Sequence, residues 1–394
     1  MYVERTIKER FDKIKDAYAL IAVVGARQAG KTTFLKEQMA GAKASYLLFD
    51  DPDIRELFEE DIKKFEQQYL GNHLAVFDEV QYCREAGSRL KYLADSGHKI
   101  WLTSSSEVIL GKEVLSYLVG RVSVLKLYPF SFPEFLAARD QKALTANVEK
   151  RLVWEHLTYG GYPKVVLAED NELRRIILKD LHDIMLLKDV ARTFSIDDIN
   201  ALERMSRYLA HNAGSILSYG TAAKTLGISF PTLKKYLDAL EKSYLVALAP
   251  PYSRNRNKEI SRQPKVYFID TGMRNSIAKT FASEVDGKLF ENYVFSELLK
   301  AGFSPKYWRT KAGAEVDFIL ESGEQTIPVE CKLRSDSTEK SLRSFISAYR
   351  PSRAYIVTYE MTRKETTIDG CDVLICGIRE LVESLKSVQE PASS

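Results

Sequence analysis

Short, almost wholly apolar runs alternate with helix-like periodicity along the first third of the chain. Leu20–Val24, Ser45–Phe49, Leu74–Phe77 and Lys99–Thr103 predict buried strands, while residues 5–18 and Ile54–Tyr69 predict amphipathic or charged helices. Strands apolar on both faces and separated by helices predict a parallel sheet covered on both sides. Residues 130–200 read as helical throughout: Pro133-Glu134-Phe135 starts one helix, and Leu173 to Val190 carries a core-facing stripe. Thr221–Leu226 then predicts a short helix, Gly227-Ile228-Ser229 a tight turn, and Pro231–Lys242 a second helix with Leu233, Leu237 and Leu240 inward. With strands at Tyr244–Ala249 and Lys265–Ile269, this is the pattern of a winged helix-turn-helix. The last part alternates helix and strand. A helix runs from Phe290, a hairpin joins Glu315–Leu320 to Ile327–Leu333 through Ser322-Gly323, and Ala354–Thr358 and Val373–Ile378 complete a small sheet before a loose tail, Glu390–Ser394.

Composition narrows the class. The 394 residues, 45% apolar and 28% charged, suit two to three soluble globular domains. No apolar run approaches a membrane span, and Met1-Tyr2-Val3-Glu4-Arg5 lacks a signal-peptide core, so the cytoplasm is the expected compartment, with no membrane partner. Four cysteines without C-x-x-C spacing and five scattered histidines argue against structural zinc and a disulfide framework, and no G-x-S-x-G elbow is present. The net charge of +3 says little, but Ala201 to Lys265 holds eleven Lys and Arg against four Asp and Glu, which makes it the first candidate for a polyanion contact.

The chemistry is concentrated in Gly25-Ala26-Arg27-Gln28-Ala29-Gly30-Lys31-Thr32-Thr33, directly after the first strand. This is the Walker A spacing G-x-x-x-x-G-K-[ST]. The glycines let backbone N–H groups and the following helix N-terminus point at phosphate oxygens, Lys31 reaches the β- and γ-phosphates, and the Thr32 hydroxyl ligates Mg²⁺. Leu74-Ala75-Val76-Phe77-Asp78-Glu79 has the form of a Walker B strand, with Asp78 on Mg²⁺ and Glu79 polarising the attacking water. The strand Lys99–Thr103 ends in Ser104-Ser105-Ser106, where one serine is placed to sense the γ-phosphate or simply to make a turn. Arg121 is either an arginine finger, in its own site or a neighbour's, or a helix C-cap charge. No guanine-reading N-K-x-D follows a strand, which points to ATP.

The runs GARQAGKTT, LAVFDEVQ, WLTSSSE, LVGRV, LYPFSFPEF and YGGYPKVV, from about Lys8 to Tyr359, resemble the AAA+-type ATPases of archaea and bacteria related to the STAND class, whose C-terminal region is a domain of unknown function. The resemblance gives Lys31, Thr32, Asp78 and Glu79 the roles above, matches Arg121 to the family's arginine after glycine, and makes Gly161-Tyr162-Pro163 similar to a lid element in which Gly161 and Pro163 touch nucleotide. The family usually has glycine where this chain has Ser104, which leaves Ser104 and Ser105 as alternatives for the sensor, with Ser105 preferred.

In the last segment Glu330 and Lys332 share one strand face, and Asp317 lies on the adjoining strand. The arrangement resembles the PD-(D/E)XK nuclease core, with Val316 where a proline normally stands. By that resemblance Asp317 and Glu330 hold a divalent cation, Glu291 assists from the helix, and Lys332 positions or deprotonates the attacking water. The expected α/β architecture is thus a P-loop ATPase core (1–130), a helical lid (131–200), a winged helix (201–280) and a restriction-endonuclease-like domain (285–385). Two functions remain open. One is an ATP-driven DNA-processing machine, in which Lys234 and Lys235 approach the groove and Arg254, Arg256 and Lys258 bind phosphate. The other is an ATP-dependent switch or scaffold with an inert nuclease-like domain. A finger acting in trans would require a homo-oligomer.

Overall fold

The computed structural model describes residues 2–83, 86–106, 118, 120–140, 145–253, 263–281, 284–323, 325–334 and 340–389. Arg254, Arg256, Lys258 and the tail 390–394 lie outside the described residues. The chain divides into two compact units: Met1–Phe130, Ile184–Asp197 and Lys242–Tyr244 form the first, and Ser131–Asp183, Asp198–Glu241 and Leu245–Ser394 the second.

The first unit is built on five parallel strands: β1 (Leu20–Val24), β2 (Ala44–Leu48), β3 (Leu74–Asp78), β4 (Lys99–Ser104) and β5 (Val122–Lys126), in the order β2-β3-β4-β1-β5. Every residue of β1 is buried, because the strand is flanked by neighbours and covered on both faces. One face packs Phe11, Ile21, Val23, Phe34, Leu35, Val76, Trp101 and Leu125 together. Phe77, one residue on from Val76, points to the other face and joins Phe49, Phe58 and Phe65 in a cluster of rings. Val24 pairs with Ser104 and Lys126, and Leu48 with Asp78, so the C-terminal strand ends share one edge. In open parallel sheets that edge is where ligands bind.

Two helices of the first unit depart from expectation. The first helix is shorter than 5–18 and spans Lys8–Ile14. The charged helix expected over Ile54–Tyr69 is two helices, Pro52–Glu60 and Ile62–Tyr69. Asp61 breaks it with φ −137° and ψ 86°, and its side chain accepts from the Lys64 N–H at 3.0 Å. A local cap satisfies the new helix start, and the break lets Phe58 and Phe65 turn toward the same core. Asp51 caps the first of these helices, accepting from the Asp53 N–H at 2.9 Å, with Pro52 in the opening turn.

The second unit begins with helices Phe132–Ala138, Ala146–Tyr159, Pro163–Val166 and Asn171–Ile184, the last passing into the first unit at Ile184. Helices Ile199–His211, Tyr219–Leu226 and Phe230–Lys242 follow, with Gly227 left-handed at the tight turn between the last two. The antiparallel strands β6 (Val246–Ala249) and β7 (Lys265–Phe268) pair Val246 with Phe268. The remaining strands are β8 (Lys306–Arg309), β9 (Glu315–Ser322), β10 (Gln325–Lys332), β11 (Arg353–Thr358), β12 (Lys364–Ile368) and β13 (Cys371–Cys376). They form one mixed sheet in the order β12-β13-β11-β10-β9-β8. β9 and β10 are an antiparallel hairpin, and the helix Lys340–Tyr349 crosses from β10 to the parallel β11. Among the described residues no helix is long and apolar enough to cross a membrane.

Candidate nucleotide site and a second acidic cluster

At the end of β1 the chain turns through Gly25 at φ +155°, where a Cβ would lie 1.9 Å from the Leu127 carbonyl oxygen. Only glycine fits there. Gln28 is left-handed at φ +58°, and Gly30, at φ +100°, precedes the helix Lys31–Gln38. The loop Gly25–Gly30 is therefore held back against the strand edge, with the first turn of a helix at its end. Lys31 is buried, and its Nζ donates to the carbonyls of Gly25 and Ala26 at 3.0 Å. Burial pulls the ammonium pKa below its ordinary value, opposed by the carboxylates of Glu79 and Asp189. A phosphate anion beside Lys31 would relieve that penalty.

Thr32 and Asp78 meet although 46 residues apart, with the Thr32 Oγ1 donating to both carboxylate oxygens of Asp78 at 2.9 Å. The Tyr46 hydroxyl donates to Asp78 at 2.5 Å, and Thr103 Oγ1 donates to it from β4. Thr103 Oγ1 in turn accepts the Glu79 N–H at 3.0 Å. Hydroxyl and carboxylate oxygens are the hard donors that Mg²⁺ prefers, so Thr32 and Asp78 fit the ion. Glu79 is left-handed at φ +61°, an uncommon conformation for a residue with a side chain, and its carboxylate accepts from Gln81 Nε2.

The structure separates the serines. Ser104 Oγ is turned into its own turn, donating to the Ser106 carbonyl at 2.7 Å. Ser105 Oγ accepts from Gln81 Nε2 at 3.0 Å and donates to Asp189 Oδ1 at 3.0 Å, which links it to Glu79 through Gln81. Asp189, which sequence reasoning missed, also receives Arg27 of the phosphate loop through Nε at 2.7 Å and Nη2 at 2.9 Å. Burial acts to lower the Arg27 pKa, yet Asp189 holds it above its ordinary value. A signal was present: Asp189 falls among the buried Met185, Leu186 and Val190, a carboxylate on an otherwise apolar stripe.

Arg121 requires a correction. It lies just before β5, whose first residue pairs with Leu20 at the start of β1, so it stands at the sheet edge opposite the phosphate loop of its own chain. There Nε pairs with Asp95 at 2.8 Å, both side chains well exposed, and the reading as a finger into its own site does not hold. Gly161 and Pro163 belong to the second unit. The Gly161 N–H donates to Asp270 Oδ2 at 2.7 Å, and Pro163 opens a short helix.

The residues of the C-terminal cluster are all in the second unit. Glu291, on the helix Gly287–Lys300, accepts from Lys265 Nζ at 2.8 Å and from the Tyr267 hydroxyl at 2.5 Å. Lys265, 2% exposed, also pairs with Glu315 at 2.6 Å. Asp317 accepts the Cys331 N–H at 2.8 Å, and Glu330 pairs with Lys332 at 2.8 Å, its other oxygen buried without a hydrogen-bond partner. Burial, then Glu330 and Glu291, push the Asp317 carboxyl well above its ordinary value, against the pull of Lys265. Glu291, Asp317 and Glu330 do not form a ready metal site: among the described residues no group of three or more His, Cys, Asp or Glu side chains is placed to hold an ion. Of these three, Glu291 is already paired with the buried ammonium of Lys265, which it shares with Glu315. In sequence Lys265 stands at the start of β7, outside the segment that carries the E-x-K pattern, and belongs only to a basic stretch.

Three families match successive stretches of the chain. Residues 17–136 match the family described as AAA domain. Residues 150–284 and 286–376 match two families described as domains of unknown function, DUF8612 and DUF4143. With the phosphate loop and the five-stranded parallel sheet, the first match makes residues 17–136 similar to a P-loop AAA-type ATPase domain. An uncharacterized protein of Haemophilus influenzae is 26% identical over 386 residues, covering 92% of this chain and 94% of its own. One of Methanocaldococcus jannaschii is 27% identical over 380 residues, covering 90% and 85%. Among solved structures, a Walker-type ATPase of Pyrococcus abyssi aligns at 14% identity and a TM-score of 0.47, over 70% of this chain and 96% of that one.

Proposed function

We propose that the chain binds and hydrolyses ATP with Mg²⁺ and couples that turnover to DNA. The observation that carries the reading is the Thr32–Asp78 contact beside Glu79 and the buried Lys31, at the C-terminal edge of the parallel sheet. Thr32 and Asp78 would hold Mg²⁺, which neutralises charge developing on the phosphates. Lys31 and the N–H groups from Gly25 to Thr33 bind the β- and γ-phosphates, Glu79 orients the attacking water and accepts its proton, and Ser105 donates to the γ-phosphate. Gly161 and Pro163 are proposed nucleotide contacts by family resemblance alone. Arg121 acts as a finger only if a second copy of the chain receives it.

In the second unit the helices Tyr219–Leu226 and Phe230–Lys242 with the β6–β7 hairpin make a winged helix-turn-helix in this reading, and exposed Lys224, Lys234 and Lys235 meet DNA phosphate. The decisive measurement is the ATPase rate titrated with duplex, single-stranded and branched DNA. Stimulation by one of them, abolished by Lys234→Ala with Lys235→Ala, is expected; a rate indifferent to all three removes the DNA half of the proposal.

Lys265 favours the switch reading for the C-terminal domain. With Glu291 tied to the buried Lys265, the core in this reading holds its partner without cutting it. Plasmid incubated with the protein and Mn²⁺ is expected to stay intact; cleavage that Asp317→Ala or Lys332→Ala abolishes while ATP turnover persists would restore the nuclease reading.

A further inference from the structure

The hydrolysis scheme leaves Asp189 without a task, although the residue is buried and the hydrogen bonds of its side chain lead to the nucleotide site. Its Oδ2 accepts from Arg27 Nε at 2.7 Å, and its Oδ1 accepts from Arg27 Nη2 at 2.9 Å and Ser105 Oγ at 3.0 Å. Its carbonyl accepts from Ser243 Oγ at 3.1 Å, which anchors the backbone independently of the side chain. From Ser105 the path continues through Gln81 to Glu79. One carboxylate therefore holds a phosphate-loop residue and a strand-end serine tied to the glutamate next to Asp78.

Asp189 is carried on the π-helical turn Met185–Arg192, a wider winding than the α-helix and one that recurs at functional sites. The chain reaches this turn from the helix Asn171–Ile184 and leaves it into the helix Ile199–His211, both of which lie almost wholly in the second unit. A guanidinium offers the same planar fork to a carboxylate and to a phosphate. The side chain of Arg27 is thus a donor for which Asp189 and a bound triphosphate are rival acceptors, and Ser105 Oγ is another.

We propose that Asp189 is a nucleotide-responsive latch: its carboxylate competes with the terminal phosphates of ATP for Arg27 and Ser105, so that ATP loosens residues 184–197 and loss of phosphate restores the grip. It is a positioning residue, acting through Arg27 and Ser105 and not on the reacting atoms. The inference rests on the ATPase reading and adds how that site would communicate with the chain beyond it. A carboxylate that merely props Arg27 toward the phosphates makes the opposite prediction, because removing a prop weakens binding whereas removing a competitor strengthens it.

The test is a titration of the full chain with a non-hydrolysable ATP analogue and Mg²⁺. Asp189→Asn is expected to tighten binding about tenfold, as expected for releasing a charge-assisted hydrogen bond. Arg27→Gln should weaken binding, and in that background Asp189→Asn should gain less than it does in the wild-type chain, since only the share that passes through Ser105 is left. Weaker or unchanged binding in a folded Asp189→Asn overturns the latch. A second measurement needs no variant: amide hydrogen exchange over 185–196 in the wild-type chain should quicken when the analogue binds, and exchange that is unchanged or slowed overturns the proposal equally. Should the wild-type chain retain no nucleotide, the ATPase reading itself fails and takes the latch with it; retained nucleotide without these responses sinks the latch alone.

Discussion

The nucleotide site and the C-terminal acidic cluster both gather buried charge, but they compensate it differently. Around Asp78 the neighbours are neutral hydroxyls, Thr32, Tyr46 and Thr103, while Lys31 rests on backbone carbonyls. No opposite charge is spent on either group by those contacts, so a magnesium phosphate completes both at once. In the C-terminal cluster Glu291 and Glu315 share Lys265, and Glu330 has Lys332. There the chain has supplied its own cations. Charge completed by hydroxyls and carbonyls can receive a ligand; charge completed by a buried ammonium must first lose a partner.

The comparison can be broken at either end. The largest effect is expected from Lys31→Ala, which should lower ATP turnover by ~10²–10³-fold, as removing one donor from a preorganised anion site does; turnover close to wild type would end the account of the first site. Glu79→Gln should slow hydrolysis by ~10²-fold or more while leaving analogue binding near the wild-type value, because the residue acts on water and not on the phosphates. Lys265→Met should destabilise the second unit by ~3–5 kcal/mol in urea unfolding, since it leaves Glu291 and Glu315 without their shared cation. A stable Lys265→Met chain that now takes up Mn²⁺ would show that the lysine only fills a metal site.

Smaller effects sharpen the contrast. Asp317 titrates well above its ordinary value in the folded chain, pushed by burial and by Glu330 and Glu291, with Lys265 opposing. The folded state then binds more protons than the unfolded one once pH exceeds about the ordinary 3.8, so this residue's contribution to stability falls as pH rises from there toward its folded value. Asp317→Asn should accordingly gain stability relative to wild type as pH is raised through that window, and the two curves should converge at lower pH; parallel melting curves at all pH values would mean that the carboxyl is not perturbed. Arg121→Ala should change stability by no more than ~1 kcal/mol, since its pair with Asp95 is exposed.

The phosphate loop was legible because its physics is local. Gly25, Gly30, Lys31 and Thr32 act within one strand-loop-helix unit, and Asp78 and Glu79 end a strand whose apolar run announces itself. The parallel sheet and the β9–β10 hairpin follow from the same short-range periodicity. Asp189 was read as part of a helical stripe, because its partners Arg27 and Ser105 are far away in sequence and nothing in residues 173–190 refers to them. Lys265 was counted toward a basic segment, and only its burial against Glu291 and Glu315 makes it an internal counter-ion. Arg121 had the right neighbours in the chain and the wrong end of the sheet. Backbone geometry, glycine requirements and strand periodicity are set by adjacent residues, so the sequence alone determined what this chain can cradle. Which charges meet is set by Coulomb interactions between groups that only folding brings within a few ångströms, and tertiary structure alone decided which sites remain open to a ligand.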